Sequence, residues 1–385
     1  MSTINDLFPR VAIVADQMTG FGGADREMIS ILKLFPDADI FTIYFDKTKY
    51  PQIKNNVHTS FVQKIFKFLP KNFSKHLKIF TPWAYESFSF HGYDLVISIS
   101  AGPAKGIITD IYQPHVAMTM TPPRSLWDKE YNFRGYKLKG FYKAISENIN
   151  TFMRLWDISI AKRVDYWTAN SKYIQTKIKK TYNVDSTVIY PGVDEKYFIK
   201  PEQTVCTGVM EKYNLPSDFV LVVSRLYDYK RVDWAIDACI KIKKNLVIVG
   251  EGPDMNFLKK KAGGSEYIKF LGYIPDDEVI CLLYKAKLLL FCGLEDFGIV
   301  PVEAMAAGTP VFALREGGVL ETVKEGICGE FFETREELVI LLKNFEKRRY
   351  NGKKIKEHAQ KFSEEKFIHN LEEYLRNVYE EKAKK

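Results

Sequence analysis

Between Lys47 and Tyr85 this chain has no Asp or Glu, although 48 acidic residues stand against 56 Lys and Arg in the whole sequence. Other shortages are global. No apolar run reaches the roughly 18 residues of a membrane-crossing helix. The start, MSTINDLFPRVAIVAD, has no basic-then-apolar signal region, which predicts a cytoplasmic protein. Cysteine is scarce: Cys206, Cys239, Cys281, Cys292 and Cys328 all lie in the C-terminal half, odd in number and without metal-ligand spacing. Reduced, mostly buried thiols are expected rather than a disulfide framework. No nucleic-acid module is recognisable, so the net charge of +8 is not assigned to nucleic acid.

The acid-free stretch holds eight lysines, from Lys47 to Lys78, interleaved with Phe61, Phe66, Phe68, Leu69, Phe73, Leu77, Phe80 and Trp83. That pattern suits an anionic membrane surface, with peripheral attachment at the inner face of the cell membrane. Its plain alternative is a solvated helix face whose apolar side lies in the core. A length of 385 residues exceeds one ordinary core, so two domains are expected. With 46% hydrophobic and 27% charged residues, disorder is expected only at the Lys-rich tail from Glu380 to Lys385.

Short apolar runs alternate with amphipathic stretches. VAIVAD (11–16), DIFTIYF (39–45), DLVISIS (94–100), HVAMTM (115–120), YWTAN (166–170) and STVIY (186–190) read as strands. Helices are expected near 24–35, 141–163 and after Ser171, a good N-cap. The pattern restarts with strands at 218–225, 245–250, 268–272, 287–292 and 309–314, and a helix at 232–242. Alternation of this kind means parallel sheets covered by helices, hence two doubly wound, Rossmann-like α/β domains. The join falls in 187–198, giving domains at 1–192 and 193–363. A helix over 364–385 is expected to pack back on the N-terminal domain.

After the first strand comes Gly20-Phe21-Gly22-Gly23-Ala24. Glycines between a strand and a helix let backbone N–H groups approach a phosphate. Asp46 then stands about where a ribose-binding acid would sit in a dinucleotide fold, but Asp25 occupies the third glycine position. An NAD-dependent enzyme is therefore a weak rival reading, and a tight turn the plain one. Asp37-Ala38-Asp39 reads as turn chemistry rather than a metal site.

Three C-terminal segments converge on nucleotide-diphosphate chemistry. Ser224 to Arg231 follows a strand, where ligands of such sheets bind. Arg225 and Lys230 there can neutralise a leaving diphosphate. Gly250-Glu251-Gly252-Pro253 is a strand-end turn, equally well a plain one. Glu295-Asp296-Phe297-Gly298-Ile299-Val300-Pro301-Val302-Glu303 places Glu295 on a loop and Glu303 just inside a helix Val302–Ala307. N–H groups from Gly298 to Val300 would face an anion.

These segments, SRLYDYKRVD, IVGEGPD, EDFGIVPVEAMAAGTPV and REGGVLETV, resemble glycosyltransferase family 4. So do DQMTGFGGADR, LFPDADIFT, GYDLVISIS, AKGI, TPPRSLWD, TANSKYI and VIYPGVD. The resemblance runs from about residue 10 to residue 335 and is nearest the O-antigen and exopolysaccharide mannosyltransferase branch. It implies the GT-B fold, two Rossmann-like domains facing a cleft, and a retaining transfer from a GDP-sugar to a glycan or lipid-linked acceptor without metal or other cofactor. It implies that Arg225 and Lys230 bind the diphosphate, Glu295 the transferred sugar and Glu303 the ribose. Backbone around Phe297, Gly298 and Ile299 would meet sugar and phosphate, and Gly22 and Gly23 would close on the diphosphate. Met120 and Arg124 would contact sugar or acceptor.

The chain departs from that branch where Met120-Thr121-Pro122-Pro123-Arg124 replaces a motif beginning with His. Ala15 and Ala101 also stand where relatives often have His, while His115 matches. A donor less polar than mannose opposite Met120 is the resulting expectation. The missing histidine also motivates a second class of function, a catalytically weak protein that binds a nucleotide sugar.

Overall fold

The computed structural model describes residues 3–20, 22–66, 80–128, 140–347 and 349–384. They form two α/β units. One contains residues 3–128, 140–192 and 367–384, the other 193–366.

The first unit is built on a parallel sheet of β1 (Val11–Ala15), β2 (Asp39–Thr42), β3 (Val57–Thr59), β4 (Leu95–Ser100), β5 (His115–Thr119), β6 (Tyr166–Ala169) and β7 (Thr187–Val188). Their spatial order is β3-β2-β1-β4-β5-β6-β7. Ile13 of β1 stands opposite Ile40 of β2 and Ile97 of β4. Every residue of β1 and β4 is buried, which is why both read as unbroken apolar runs. One face of the sheet packs against Met28, Ile31 and Phe35 and against Phe367, Leu371, Leu375 and Val378. The last four form a single stripe of the helix Glu364–Ala383, which thereby joins the first unit's core.

The second unit holds β8 (Val220–Val223), β9 (Leu246–Val249), β10 (Ile268–Gly272), β11 (Leu288–Phe291), β12 (Val311–Leu314) and β13 (Gly329–Phe332), in the order β10-β9-β8-β11-β12-β13 and again parallel. Winding reverses at the first strand of each unit: β1 lies between β2 and β4, and β8 between β9 and β11. Ligands of open α/β sheets bind beyond the carboxyl ends of the strands at such a reversal.

Several elements differ from the sequence expectation. β2 stops at Thr42, whose hydroxyl donates to the Asp16 carbonyl at 2.6 Å, and Phe45 keeps only an isolated bridge to Met18. Of 186–190 only Thr187 and Val188 pair. β3, β13 and the helix Gln203–Lys212 were not anticipated. β3 is an edge strand with two exposed residues, β13 starts on a glycine, and the helix contains Gly208 and buries only Cys206 and Val209. None offers a strong period. The Lys-rich tail, expected to be disordered, continues the last helix to Ala383, held where the Tyr379 ring meets Phe8 edge-on at 5.5 Å. All five cysteines are free and buried. In the acid-free stretch, 67–79 lies outside the described residues, including Lys67, Lys71, Lys75 and Lys78. The rest includes a turn at Lys47–Lys49, the edge strand β3 and the helices Phe61–Phe66 and Thr81–Glu86.

Candidate active site

The second unit's reversal point collects seven of the anticipated residues. A small recess opens at the carboxyl ends of β8 and β11, lined among others by Ser224, Lys230, Phe291, Cys292 and Gly293. The loop leaving β8 is fixed from beneath. Leu226 is fully buried; its N–H donates to the Glu251 carbonyl at 2.9 Å, and its own carbonyl accepts from the Asp254 N–H at 3.0 Å. The Gly250-Glu251-Gly252-Pro253 turn is therefore a buttress for this loop. Side chains at Gly250 or Gly252 would run into the carbonyls of Ser224 and Leu226, and Gly250 sits at φ +121°, so glycine is required there.

Above the buttress, two cations lie on two aromatic rings. The Arg225 guanidinium stands 5.7 Å from the Tyr227 centroid and the Lys230 ammonium 5.0 Å from that of Tyr229. The two tyrosines stack on each other at 5.8 Å. Arg225 is exposed and Lys230 buried, its Cα and Cδ packed so close to Gly293 that a side chain at Gly293 would collide. Reading the sequence for charge missed the tyrosines; the signal was their alternation with the cations. Each ring face attracts the cation above it and helps to hold that side chain in place.

Glu295, on the loop leaving β11, pairs with Lys230 through Oε1. Its backbone is held by the Arg315 to Val323 segment: the Gly318 N–H donates to the Glu295 carbonyl at 2.9 Å, and Gly317 bridges Glu295 at φ +79°. Gly298 at φ +86° caps the helix Ile299–Ala306. That helix begins three residues before the expected Val302, because Pro301 falls in its first turn, where a missing N–H costs nothing. The buried Phe297 ring meets Phe362 edge-on at 5.8 Å. Glu303, 2% exposed, shares a helix face with Ile299 one turn earlier. One edge of the sheet thus carries two cations, two carboxylates and a helix N-terminus whose first N–H groups and dipole favour an anion.

Gly22, Gly23, Met120 and Arg124 lie in the first unit. Gly22 caps the helix Gly23–Leu34, and its N–H donates to Asp25 at 2.7 Å. The Tyr50 hydroxyl donates to the other oxygen of Asp25, whose carboxyl is pushed up by burial against these opposing hydrogen bonds. A side chain at Gly23 would meet nothing within 4 Å, so packing inside this unit does not demand glycine there. The Asp46 carboxylate accepts from Thr48, capping a turn instead of lying free for a ribose. Met120, expected to face a sugar, packs against the first unit's core, and its sulfur accepts from Asn170 at 3.9 Å. Arg124 opens the short helix Arg124–Trp127.

Residues 210–365 match the family model "Glycosyl transferases group 1". The match covers most of the second unit. An uncharacterized glycosyltransferase of Methanocaldococcus jannaschii is 32% identical over 222 residues, 55% of this chain and 58% of that protein. The N-acetyl-alpha-D-glucosaminyl L-malate synthase of Bacillus anthracis is 30% identical over 49% of this chain and 53% of its own. A GDP-mannose-dependent alpha-(1-6)-phosphatidylinositol monomannoside mannosyltransferase of Mycobacterium tuberculosis is 29% identical over 44% and 50%. The chain spans about half the length of these curated relatives. Among solved structures, Anabaena HepE in complex with UDP-glucose aligns over 95% of this chain and 99% of its own with a TM-score of 0.71 at 20% identity. WaaG, a glycosyltransferase involved in lipopolysaccharide biosynthesis, aligns over 94% and 99% with 0.66 at 16%. Two parallel Rossmann-like sheets with these neighbours make the fold GT-B.

Proposed function

We propose that this protein is a retaining, metal-independent glycosyltransferase that moves mannose or a related hexose from a GDP-sugar to a glycan or lipid-linked acceptor in cell-surface polysaccharide synthesis. The observation that carries the reading is the pairing of Lys230 with Glu295 at the reversal point of the second sheet, beside Arg225 and the N-terminus of Ile299–Ala306. Such a site offers positive charge to a leaving diphosphate and carboxylates to sugar and ribose hydroxyls. Arg225 and Lys230 take the part a divalent cation plays elsewhere, stabilising charge as it develops on the leaving group. Retention rests on the family resemblance. The choice of GDP-mannose rests on the mycobacterial relatives, and the UDP-glucose complex of HepE keeps a UDP-sugar as the nearest alternative.

Attachment to an anionic membrane surface through the Lys47 to Tyr85 stretch completes the reading. Phe61 and Ile65 are exposed on the helix Phe61–Phe66 beside Lys64, and Trp83 is exposed on Thr81–Glu86, just after the exposed Phe80. Among the described residues no helix is long and apolar enough to cross a membrane. Turnover measured across a panel of GDP- and UDP-sugars, with binding titrations of GDP, UDP and NADH, tests the function. GDP-mannose is expected to be consumed and GDP to bind. Binding of NADH alone, with no nucleotide sugar consumed, would overturn the reading.

A further inference from the structure

The first unit buries an ion pair that the proposed chemistry does not use. Lys105 and Asp157 are each 2% exposed, with Nζ 2.6 Å from Oδ1. The Lys105 ammonium also donates to the Gly102 carbonyl at 3.1 Å. The second Asp157 oxygen accepts from Trp127 Nε1 at 2.8 Å and from the Tyr182 hydroxyl at 2.7 Å. Both charges are thus well satisfied by neighbours from four segments.

A buried ion pair is a poor source of stability, because desolvation offsets most of the attraction, and apolar residues of similar volume often do as well. What it does supply is fixed geometry. Lys105 belongs to the loop that leaves β4 and Trp127 to the one that leaves β5. The β4 loop borders the reversal point of the first sheet, where ligands of such folds bind, and the β5 loop lies one strand further out. The β4 loop is also tied to β1, since Asp16 accepts from the N–H groups of Ala101 at 2.9 Å and Ala104 at 3.1 Å. The β5 loop has further ties: the Leu126 carbonyl accepts from Arg154 at 3.3 Å, and Lys177 reaches Asp128 at 2.9 Å. Only Asp157 receives donors from both loops in these contacts. Arg124 lies three residues before Trp127 on the same short helix.

We propose that Lys105 and Asp157 are positioning residues that lock the loops 101–106 and 121–128 to one another and so set the place of Arg124 for the acceptor side of the reaction. The inference rests on the transferase reading for what the loops receive, but not for the lock itself.

Amide hydrogen exchange on the whole chain tests the lock without any substrate. Lys105→Met lies on one loop and should speed exchange in the other, 121–128, by about tenfold or more, while β1 and β4 stay within about twofold. Trp127→Phe keeps an aromatic ring, leaves the buried ion pair intact and removes one donor, so it is the milder change, and it should speed exchange in both loops by about threefold. GDP and UDP affinity should stay within about twofold in both variants, and turnover of GDP-mannose should fall about tenfold or more. Faster exchange confined to the substituted loop, or spread equally into β1 and β4, overturns the proposal and leaves the pair a local or general stabiliser. If the wild-type protein turns over none of the nucleotide sugars, the transferase reading fails, while the exchange result still decides the lock.

Discussion

The Lys230 ammonium is paired with the Glu295 carboxylate across the ends of two strands that neighbour each other at the sheet's reversal point. The residues are 65 positions apart in sequence, so the pair exists only because β8 and β11 are adjacent. A leaving diphosphate would draw the same ammonium, so substrate and Glu295 act on one group.

Removing that group should show in turnover. Lys230→Ala and Arg225→Ala are each expected to lose about 2–4 kcal/mol of transition-state stabilisation, mainly in kcat, because charge develops as the leaving group departs. Glu295→Gln should be non-additive with Lys230→Ala by about 0.5–3 kcal/mol in a double-mutant cycle, since each change alters the other's environment. Wild-type turnover in Lys230→Ala, or strict additivity, would refute the assignment.

If Arg225 and Lys230 carry the diphosphate as proposed, a divalent ion should not be needed. Activity measured in excess EDTA should match activity without it. A rate that vanishes with chelation and returns with Mg²⁺ or Mn²⁺ would show that Arg225 and Lys230 do not carry the charge alone.

The central strands of both sheets were legible because VAIVA, LVISIS and LLLF are buried throughout, VLVV at all but its last residue, and their composition says so. Arg225, Lys230, Glu295 and Glu303 were legible from motif and strand-end position. Three features were not. The buttress under Leu226 depends on a turn 24 or more residues away, and turn glycines read alike whether they support a loop or merely reverse the chain. The start of the helix Ile299–Ala306 depends on the left-handed Gly298, which the following proline masks. The Lys105–Asp157 pair joins segments 52 residues apart, and neither residue lies in a period that marks it as buried.

Glu27 and His115 give the fold opposite pH limits. Glu27 is 5% exposed, and its Oε2 meets no hydrogen-bond partner among the described residues. Burial pushes its carboxyl up from the ordinary 4.5 to about 8. Below pH 4.5 both folded and unfolded chains are protonated there. As the pH rises toward 8 only the unfolded chain ionises, so the folded state loses about 1.4 kcal/mol per pH unit. Burial instead pulls His115 down to about 3, so its neutral ring favours folding above 6.5 and that contribution fades as the pH falls toward 3. Glu27→Gln should therefore stabilise the protein by several kcal/mol at pH 8 and by little at pH 4.5. Urea midpoints at the two pH values check this; an equal gain at both would exclude the titration of Glu27 as its cause.

Membrane attachment should be electrostatic and apolar together. Sedimentation with vesicles containing anionic lipid should carry the protein down, and salt should release it as the Debye length shrinks from about 10 Å at 0.1 M to about 3 Å at 1 M. Trp83→Ala should weaken binding at low salt as well, since that side chain is 54% exposed on Thr81–Glu86. Equal sedimentation with neutral and anionic vesicles would end the idea.

The resemblance to the mannosyltransferase branch implies a histidine where Met120 stands, and the surroundings of Met120 redirect the expectation of a less polar donor. Its side chain rests on the first unit's core, and its sulfur takes a weak hydrogen bond from the Asn170 amide, a group only 7% exposed. An imidazole placed there would bring a polar ring against apolar neighbours, and Asn170 could satisfy only one of its nitrogens. Met120→His should accordingly lower stability by about 1 kcal/mol, the low end of the cost of an unsatisfied polar group, because the position is only partly buried. Its effect on donor choice should be small. The ratio of kcat/KM for GDP-mannose to that for a GDP-deoxyhexose should change by less than about twofold, well under 1 kcal/mol of discrimination. A shift of about tenfold toward the hydroxylated sugar, with stability unchanged, would instead mean that the side chain at this position faces the donor rather than the core.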